Sequence, residues 1–137
     1  MNHATGHATA TMKSSSSGQH ATMTSIDMEA CITGCLACHA VCLQTVEHCL
    51  EVGGAHAAQR HIRLLLDCAE LREASAHFMM RRSPFEGRVY ALCAEACRAC
   101  EDACRRMGGV ADVHCAESCH RCAEMVTHVA RESGAAA

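Results

Sequence analysis

The apolar residues of this chain recur every three or four positions in four long segments, which is the spacing of one face of an α-helix. A single proline and the lack of sustained Val/Ile/Thr alternation argue against a β-sheet. The predicted helices cover residues 26–52, about 55–80, 83–107 and 112–131. Four long helices joined by short loops predict an all-α fold, an antiparallel up-down-up-down four-helix bundle.

Local signals mark the ends of these helices. Gly53-Gly54 and Gly108-Gly109 are expected to end the first and third helices. The stretch Ser83-Pro84-Phe85-Glu86 has the order of a capping box, and Asp112 is a candidate cap for the fourth helix. Residues 1–25 are rich in Ser, Thr, Ala and His without periodicity. We therefore predict a flexible tail over 1–25 and the bundle over 26–137.

Cysteines occupy the positions where leucine and isoleucine normally stand on the inner faces of such helices. At 100° per residue, the five on the first helix fall within about 60° of one another, a narrower stripe than an ordinary apolar one. The third and fourth helices repeat the pattern, and the second contributes one cysteine. The thirteen candidate metal ligands are Cys31, Cys35, Cys38, Cys42, Cys49, Cys68, Cys93, Cys97, Cys100, Cys104, Cys115, Cys119 and Cys122.

Two ordinary explanations fit this pattern poorly. Cysteine as a small buried hydrophobe buries less area than leucine, so thirteen would weaken a core that needs filling. Disulfides need Cβ atoms about 3.5–4.5 Å apart, whereas positions i and i+4 of a helix are about 5–6 Å apart. Two metal–sulfur bonds of about 2.3 Å span some 4–5 Å. The spacing therefore favours shared metal ions over covalent pairs.

Charge favours Cu(I) among the metals. Thirteen bare thiolates in a dry core are too costly, so the empty protein should hold neutral thiols. A cuprous ion that replaces each thiol proton leaves the net charge unchanged. Zn²⁺ in four-cysteine sites leaves about −2 per site, with few inward cations besides Arg72 to compensate. Soft thiolates also select Cu(I) among the available ions. We expect about one copper per cysteine.

Other metal chemistries stay open at this point. Cys35-Leu-Ala-Cys38-His39 matches the c-type haem attachment motif. The CxxxCxxCxxxC runs at 31–42 and 93–104 are similar to ferredoxin spacing, although one straight helix cannot wrap four ligands around one cluster. The competing functions are an iron–sulfur or other redox-centre protein and a general thiolate buffer for zinc or cadmium. No Ser/His/Asp or paired-carboxylate constellation indicates catalysis, so we expect a protein that is not an enzyme.

Together, the two CxxxCxxCxxxC runs, the CxxxCxxC run at 115–122 and Cys68 resemble the bacterial four-helix-bundle copper storage proteins over residues 26–132. The resemblance implies a cysteine-lined lumen that takes up many Cu(I) ions, largely between pairs of thiolates, for storage and detoxification. It matches the cytosolic members, since the first 25 residues contain neither a twin arginine nor an apolar leader segment. A cytoplasmic location is therefore expected, and the resemblance suggests a homotetramer.

The two ends of the predicted bundle differ in polarity. One end gathers cysteines, histidines and a methionine: Cys49, His61, Cys104, Met107 and Cys115, with His48, His56 and His114 at its flanks. The opposite end is more apolar and offers Met28, Met79, Val89, Val126 and Val129. We expect copper to enter at the first end, with His61 and Met107 as additional ligands, and to pass from thiol to thiol.

Residues outside the cysteine stripes raise further questions. The tail's His3, His7, His20, Met1, Met12 and Met23 are candidates for handing copper over, and His39 is either a ligand or a surface residue. A second apolar stripe runs along the first two helices, with Ile32, Leu36, Leu43 and Leu50 on the first and Ile62, Leu66 and Met80 on the second. Either flank packing within the bundle or an oligomer interface explains it, and the resemblance favours the oligomer interface.

The expected partners are copper ions and other copies of the chain, and a copper chaperone is a candidate for delivery. The net charge of −3 suggests neither nucleic acid nor an anionic membrane as a partner. No stretch of the chain is expected to reach a membrane-spanning length.

Overall fold

The computed structural model describes residues 25–132 as a bundle of four α-helices. Their bounds are Ser25–Val52 for α1, Gln59–Met80 for α2, Glu86–Met107 for α3 and Val110–Glu132 for α4. Each helix packs against its two neighbours in the ring α1–α2–α3–α4. The predicted all-α four-helix bundle is confirmed. The predicted tail lies outside the described residues, except that Ser25 already belongs to α1.

Contacts between α1 and α4 establish the antiparallel order of these two helices. The Sγ atoms of Cys35 and Cys122 lie 3.9 Å apart, and so do those of Cys42 and Cys115. One level further on, Cys49 lies opposite Asp112, with Sγ 3.6 Å from Oδ2. Later residues of α1 therefore meet earlier residues of α4. With short connections between consecutive helices, this gives the up-down-up-down arrangement.

Glycine ends α1 and α3, as predicted. Gly53 has φ 76° and Gly108 has φ 72°, values that residues with a Cβ atom rarely adopt. Their amides donate to Cys49 O at 3.0 Å and to Cys104 O at 3.1 Å, which uses carbonyls left free at the helix ends. Both loops that close the polar end of the bundle therefore depend on glycine.

The predicted starts of the second and third helices, like that of the fourth at 112, need correction. The second helix begins at Gln59 rather than near 55, because Gly54–Ala57 forms a short 3₁₀ helix first. The third begins at Glu86 rather than at Ser83, and the capping box is only half formed. The Ser83 hydroxyl accepts from the Phe85 amide at 3.2 Å, but the Glu86 carboxylate accepts from the Tyr90 hydroxyl at 3.2 Å instead of returning to Ser83. The buried Tyr90 needs that acceptor.

The core is built mainly from thiols and small side chains. Every cysteine is at most 2% exposed. The other buried apolar residues of the described chain are Val46, Leu65, Ala69, Ala76, Met79, Tyr90, Ala94, Ala116, Ala123, Val126, Val129 and Ala130. Because many of these are alanines, the helices approach closely and the cysteine sulfurs fill the centre.

One expectation about membranes was wrong as stated. Within residues 25–132, one helix segment, Asp27–Val52, is long and apolar enough to cross a membrane by length and composition, with mean hydropathy 1.3. Its cysteines raise that value, because cysteine counts as apolar on hydropathy scales. The cysteine face of α1 is buried against the other helices, and a core helix of a bundle passes the same test.

Candidate metal centre

All thirteen cysteines are free thiols that face the bundle axis. On α1, α3 and α4 they recur mainly at three- and four-residue intervals, so each of these helices directs its set along one side, and α2 adds Cys68. Most of their Sγ atoms fall into groups along the axis, in which the ligand atoms of each group lie within 4.8 Å of one another, and two of these groups share Cys100. The helices therefore assemble a column of sulfur, although no two sulfurs are joined.

The middle of the column contains a four-thiol group with one cysteine from each helix: Cys42, Cys68, Cys100 and Cys119. Cys100 belongs also to the next group, with Cys104 and Cys115, so the two groups are continuous. Sulfur atoms this close can share a metal ion through two bonds of about 2.3 Å without any backbone movement.

Towards the apolar end, Cys93, Cys97 and Cys122 form another group. The Sγ atoms of Cys93 and Cys97, one turn apart on α3, are 3.9 Å from each other. Cys35 joins this group through Cys122 at 3.9 Å. Cys38 lies beside a hydroxyl instead, with Sγ 2.7 Å from Ser118 Oγ. The column thus continues to the N-terminal part of α1, where Cys31 is also buried.

The polar end is closed by a mixed group of Cys49, His61 and Asp112, whose ligand atoms lie within 4.8 Å of one another. His61 Nε2 donates to Asp112 Oδ1 at 2.9 Å. Both side chains are buried, at 6% and 1% exposure. Burial and the charge of Asp112 raise the pKa of the Cys49 thiol to about 12. The group offers one sulfur, one imidazole and one carboxylate at the top of the thiol column.

Asp112 is the functional candidate that the sequence interpretation missed. It was expected to cap α4, but α4 begins at Val110 and the Asp112 side chain points into the bundle. A signal was available: Asp112 precedes Cys115 by three residues and so lies on the same helix face. His56 Nε2 also lies 3.5 Å from Asp112 Oδ2, so this carboxylate faces imidazoles on both sides.

The remaining candidate ligands have different surroundings. Met107 is half-buried and lines, together with His61, a surface groove between α2 and α3. His39 lies at the seam between α1 and α2, where Nδ1 is 2.8 Å from Ala69 O. Its motif does not form a haem attachment site, because the thiols of Cys35 and Cys38 are buried in the column. The predicted tail histidines and methionines lie outside the described residues.

The opposite end of the bundle is apolar, as expected. Met79, Val126 and Val129 are at most 1% exposed, whereas Met28 and Val89 are only partly buried. Tyr90, which the sequence interpretation did not include, is fully buried with them. The column therefore has one polar end and one end closed by large apolar side chains.

The buried ionisable groups of the described core are few. Besides the thiols and Tyr90 they are His61 and Asp112 at the polar end and Arg72 halfway along α2. A core with so little fixed charge cannot hold thirteen thiolates without cations. It suits soft, monovalent, thiophilic ions that each replace one proton.

Comparison with known proteins agrees with this chemistry. The family model described as "Csp: Copper storage protein" matches residues 24–131. This chain belongs to the copper storage protein family. The match covers all four helices and every cysteine of the column.

Solved structures share the fold. The protein Nmul_A1745 of Nitrosospira multiformis is 38% identical with TM-score 0.74, over 79% of this chain and 98% of that one. The Cu(I)-bound copper storage protein BsCsp3, from Bacillus subtilis, is 34% identical with TM-score 0.71, over 76% and 98%. A cytosolic copper storage protein of Streptomyces lividans, loaded with five coppers, is 29% identical with TM-score 0.69, over 79% and 98%.

Proposed function

We propose that this copper storage protein holds about one Cu(I) ion per cysteine, and so stores copper and protects the cell from the free ion. The observation that carries the proposal is the continuous column of thirteen buried, unpaired thiols. A single zinc site, by comparison, uses four ligands. The bundle, predicted over 26–137 and beginning at Ser25, is the proposed storage domain, with the preceding residues as a flexible tail.

Electrical neutrality supports this stoichiometry. Each cuprous ion that binds a thiol breaks one S–H bond, forms a Cu–S bond and releases one proton. The charge of the dry core then stays constant as it fills, so filling the column needs no additional counter-ions. Divalent zinc in the four-thiol group would leave about −2 in the middle of the core. This difference favours Cu(I) over a general zinc or cadmium buffer.

We also propose that copper enters at the polar end. His61, Asp112 and Cys49 lie together there, and Met107 shares a groove with His61. Imidazole and thioether are ligands that Cu(I) accepts, and they exchange more readily than a pair of thiolates. An ion that binds first at His61 and Met107 would then move to Cys49 and along the column.

The exposed part of the second apolar stripe supports a homo-oligomer, which we propose is a tetramer. Ile32, Leu36 and Ile62 are partly buried against the core, so flank packing explains them. It does not explain the other members, which remain exposed by 40–54%: Leu43, Leu50, Leu66 and Met80. Apolar side chains that gather on one face of a chain mark an interface.

The setting of this function is proposed to be the cytoplasm, as for the Streptomyces relative named cytosolic. We propose that the protein is not an enzyme, that a copper chaperone delivers the ion, and that tail histidines and methionines assist the transfer. Reduced thiols, which the column requires, are the normal state of cytoplasmic cysteines.

An anaerobic titration of the reduced protein with Cu(I), read against a coloured cuprous chelator, tests the storage proposal. We expect uptake to continue to about one copper per cysteine and the loaded protein to stay colourless in visible light. Saturation after one or two ions would contradict the proposal. A brown or red protein would indicate iron–sulfur or haem. Displacement of bound Cu(I) by a modest excess of Zn²⁺ would indicate a general metal buffer.

A further inference from the structure

Arg72 is a cation enclosed by the thiol column. It is 0% exposed, and it is the only lysine or arginine buried within residues 25–132. It lies on α2 one turn beyond Cys68, on the inner face that the cysteine stripes share. A guanidinium stays charged at every ordinary pH, so this position places a permanent positive charge in the core.

The guanidinium contacts sulfur rather than a carboxylate. Arg72 Nε donates to Cys68 Sγ at 3.3 Å, and Nη2 donates to the same atom at 3.1 Å. The buried carboxylate of the described core, Asp112, is paired with His61 at the polar end. His61 is eleven residues from Arg72 along α2, about 16 Å at the rise of a helix. Asp112 is therefore not the partner of Arg72.

Two buried polar atoms beside this contact have no partner: Arg72 Nη1 and the hydroxyl oxygen of Ser75, one turn further along α2. A buried cation without an anion is strongly unfavourable, and an unpaired donor adds to that cost. The site is thus arranged for negative charge on sulfur.

We propose that Arg72 is the built-in counter-ion of an anionic copper site, in which one Cu(I) is held between two thiolates, Cys68 and a second sulfur of the four-thiol group. This proposal rests on the storage function proposed above and assigns a charge and a place to one of its ions. Two thiolates and one cuprous ion carry a net charge of −1, which the guanidinium neutralises. Any protons on the two sulfurs leave to water as the Cu–S bonds form.

The four-thiol geometry supports this site. The Sγ atoms of Cys42, Cys68, Cys100 and Cys119 lie within 4.8 Å of one another, which two bonds of about 2.3 Å can span. The two donors already directed at Cys68 would strengthen its thiolate form, because a hydrogen bond to an ionised acceptor is the stronger kind. Elsewhere in the column, a copper ion bound by two thiolates that bind no other copper has no buried guanidinium to neutralise its net charge of −1. The site beside Arg72 should therefore bind copper most tightly.

Removing the charge tests this directly, with a hydrogen-bond donor kept in the glutamine variant and lost in the methionine variant. In Arg72→Gln and Arg72→Met, we expect one equivalent of Cu(I) to lose at least tenfold in affinity, while the remaining capacity persists. Arg72→Lys should retain most of the affinity, since it keeps the charge. Arg121→Met is the matched control, because Arg121 is exposed although it neighbours Cys122 in sequence. The affinities come from anaerobic competition with a cuprous chelator of known strength.

Crystals loaded with one equivalent of Cu(I) supply a second measurement. Anomalous scattering at the copper edge should place the ion beside Cys68 in the wild type and in Arg121→Met, and away from Cys68 in Arg72→Gln. Copper that stays beside Cys68 with unchanged affinity in both neutral variants would overturn the proposal, and so would a first ion bound elsewhere in the wild type. If the wild type takes up only one or two ions, the storage function itself fails, which is a separate result.

Discussion

His61 Nε2 lies 2.9 Å from Asp112 Oδ1, and Cys49 Sγ lies 3.6 Å from the other oxygen of the same carboxylate. Residues from α2, α1 and α4 thus meet through one buried side chain. The carboxylate fixes the direction of the imidazole, as such groups do for histidines that bind metals. Asp112 therefore lies in the first turn of α4, but its side chain belongs to the proposed uptake site rather than to a helix cap.

Asp112→Asn should slow Cu(I) uptake by about tenfold, because a charge-assisted hydrogen bond of about 1.5–3 kcal/mol to His61 is lost. Capacity should remain at about one copper per cysteine. Stopped-flow mixing with a Cu(I)–chelator complex measures the rate. His114→Ala is the control, since His114 is exposed near the same end. An unchanged rate in Asp112→Asn would remove Asp112 from the uptake route.

His61→Ala combined with Met107→Leu should slow uptake further than either change alone, and should also leave the capacity intact. The reason is that both side chains border the same groove at the polar end. Equilibrium titration after long incubation separates the rate from the capacity. Unchanged uptake kinetics in the double variant would mean that copper enters elsewhere.

Cysteines of the four-thiol group should each account for about one bound copper. Cys119→Ala is expected to lower the capacity by about one equivalent while the bundle stays folded, because alanine fits a helix well. Ala116→Ser, also on α4 and buried, serves as the control that alters the core without removing sulfur. Loss of most of the capacity from the single cysteine change would instead indicate one cooperative cluster.

The copper-free protein should lose stability in alkali. The pKa of Cys49 is raised from 9.0 to about 12, so the native thiol resists ionisation while the unfolded thiol ionises near 9. A raised native pKa gives stability that is complete below the unfolded pKa and disappears as the pH rises through the native one. Denaturant midpoints should therefore fall between pH 9 and about 12, and less steeply in Cys49→Ala. An equal fall in both proteins would contradict this assignment.

Charged residues on the exposed apolar face should dissociate the proposed oligomer. Leu43→Asp with Leu66→Asp places two carboxylates at positions that are 42% and 40% exposed, so the isolated bundle tolerates them. Leu92→Asp, at a 51% exposed position on α3, is the control. Analytical ultracentrifugation should show a smaller species only for the first pair. A monomeric wild type would rule out the tetramer.

The sequence was informative where spacing determines geometry. Three- and four-residue intervals are enough to place Cys42, Cys100 and Cys119 on inner faces, because the helix period alone decides which side chains share a face. Gly53 and Gly108 were recognisable as helix ends for an equally local reason.

Contacts between helices were harder to predict. An aspartate near the start of a helix usually caps it, so the contact of Asp112 with His61 emerged only once α2 and α4 were placed together. Glu86 stands at the capping-box position, yet its carboxylate accepts a hydrogen bond from the Tyr90 hydroxyl instead of from the backbone of Ser83. Such choices depend on burial and on partners distant in sequence, which periodicity does not contain.

Tyr90 and its apolar neighbours close one end of the sulfur column, while the polar groups lie at the other. If copper enters and leaves only at the polar end, as proposed, the last ions to arrive are the first to leave. Copper beside Cys31 and Cys35 would then exchange slowly, and copper near Cys49 would be released first. A single helix bundle could in this way serve both long-term holding and quick delivery.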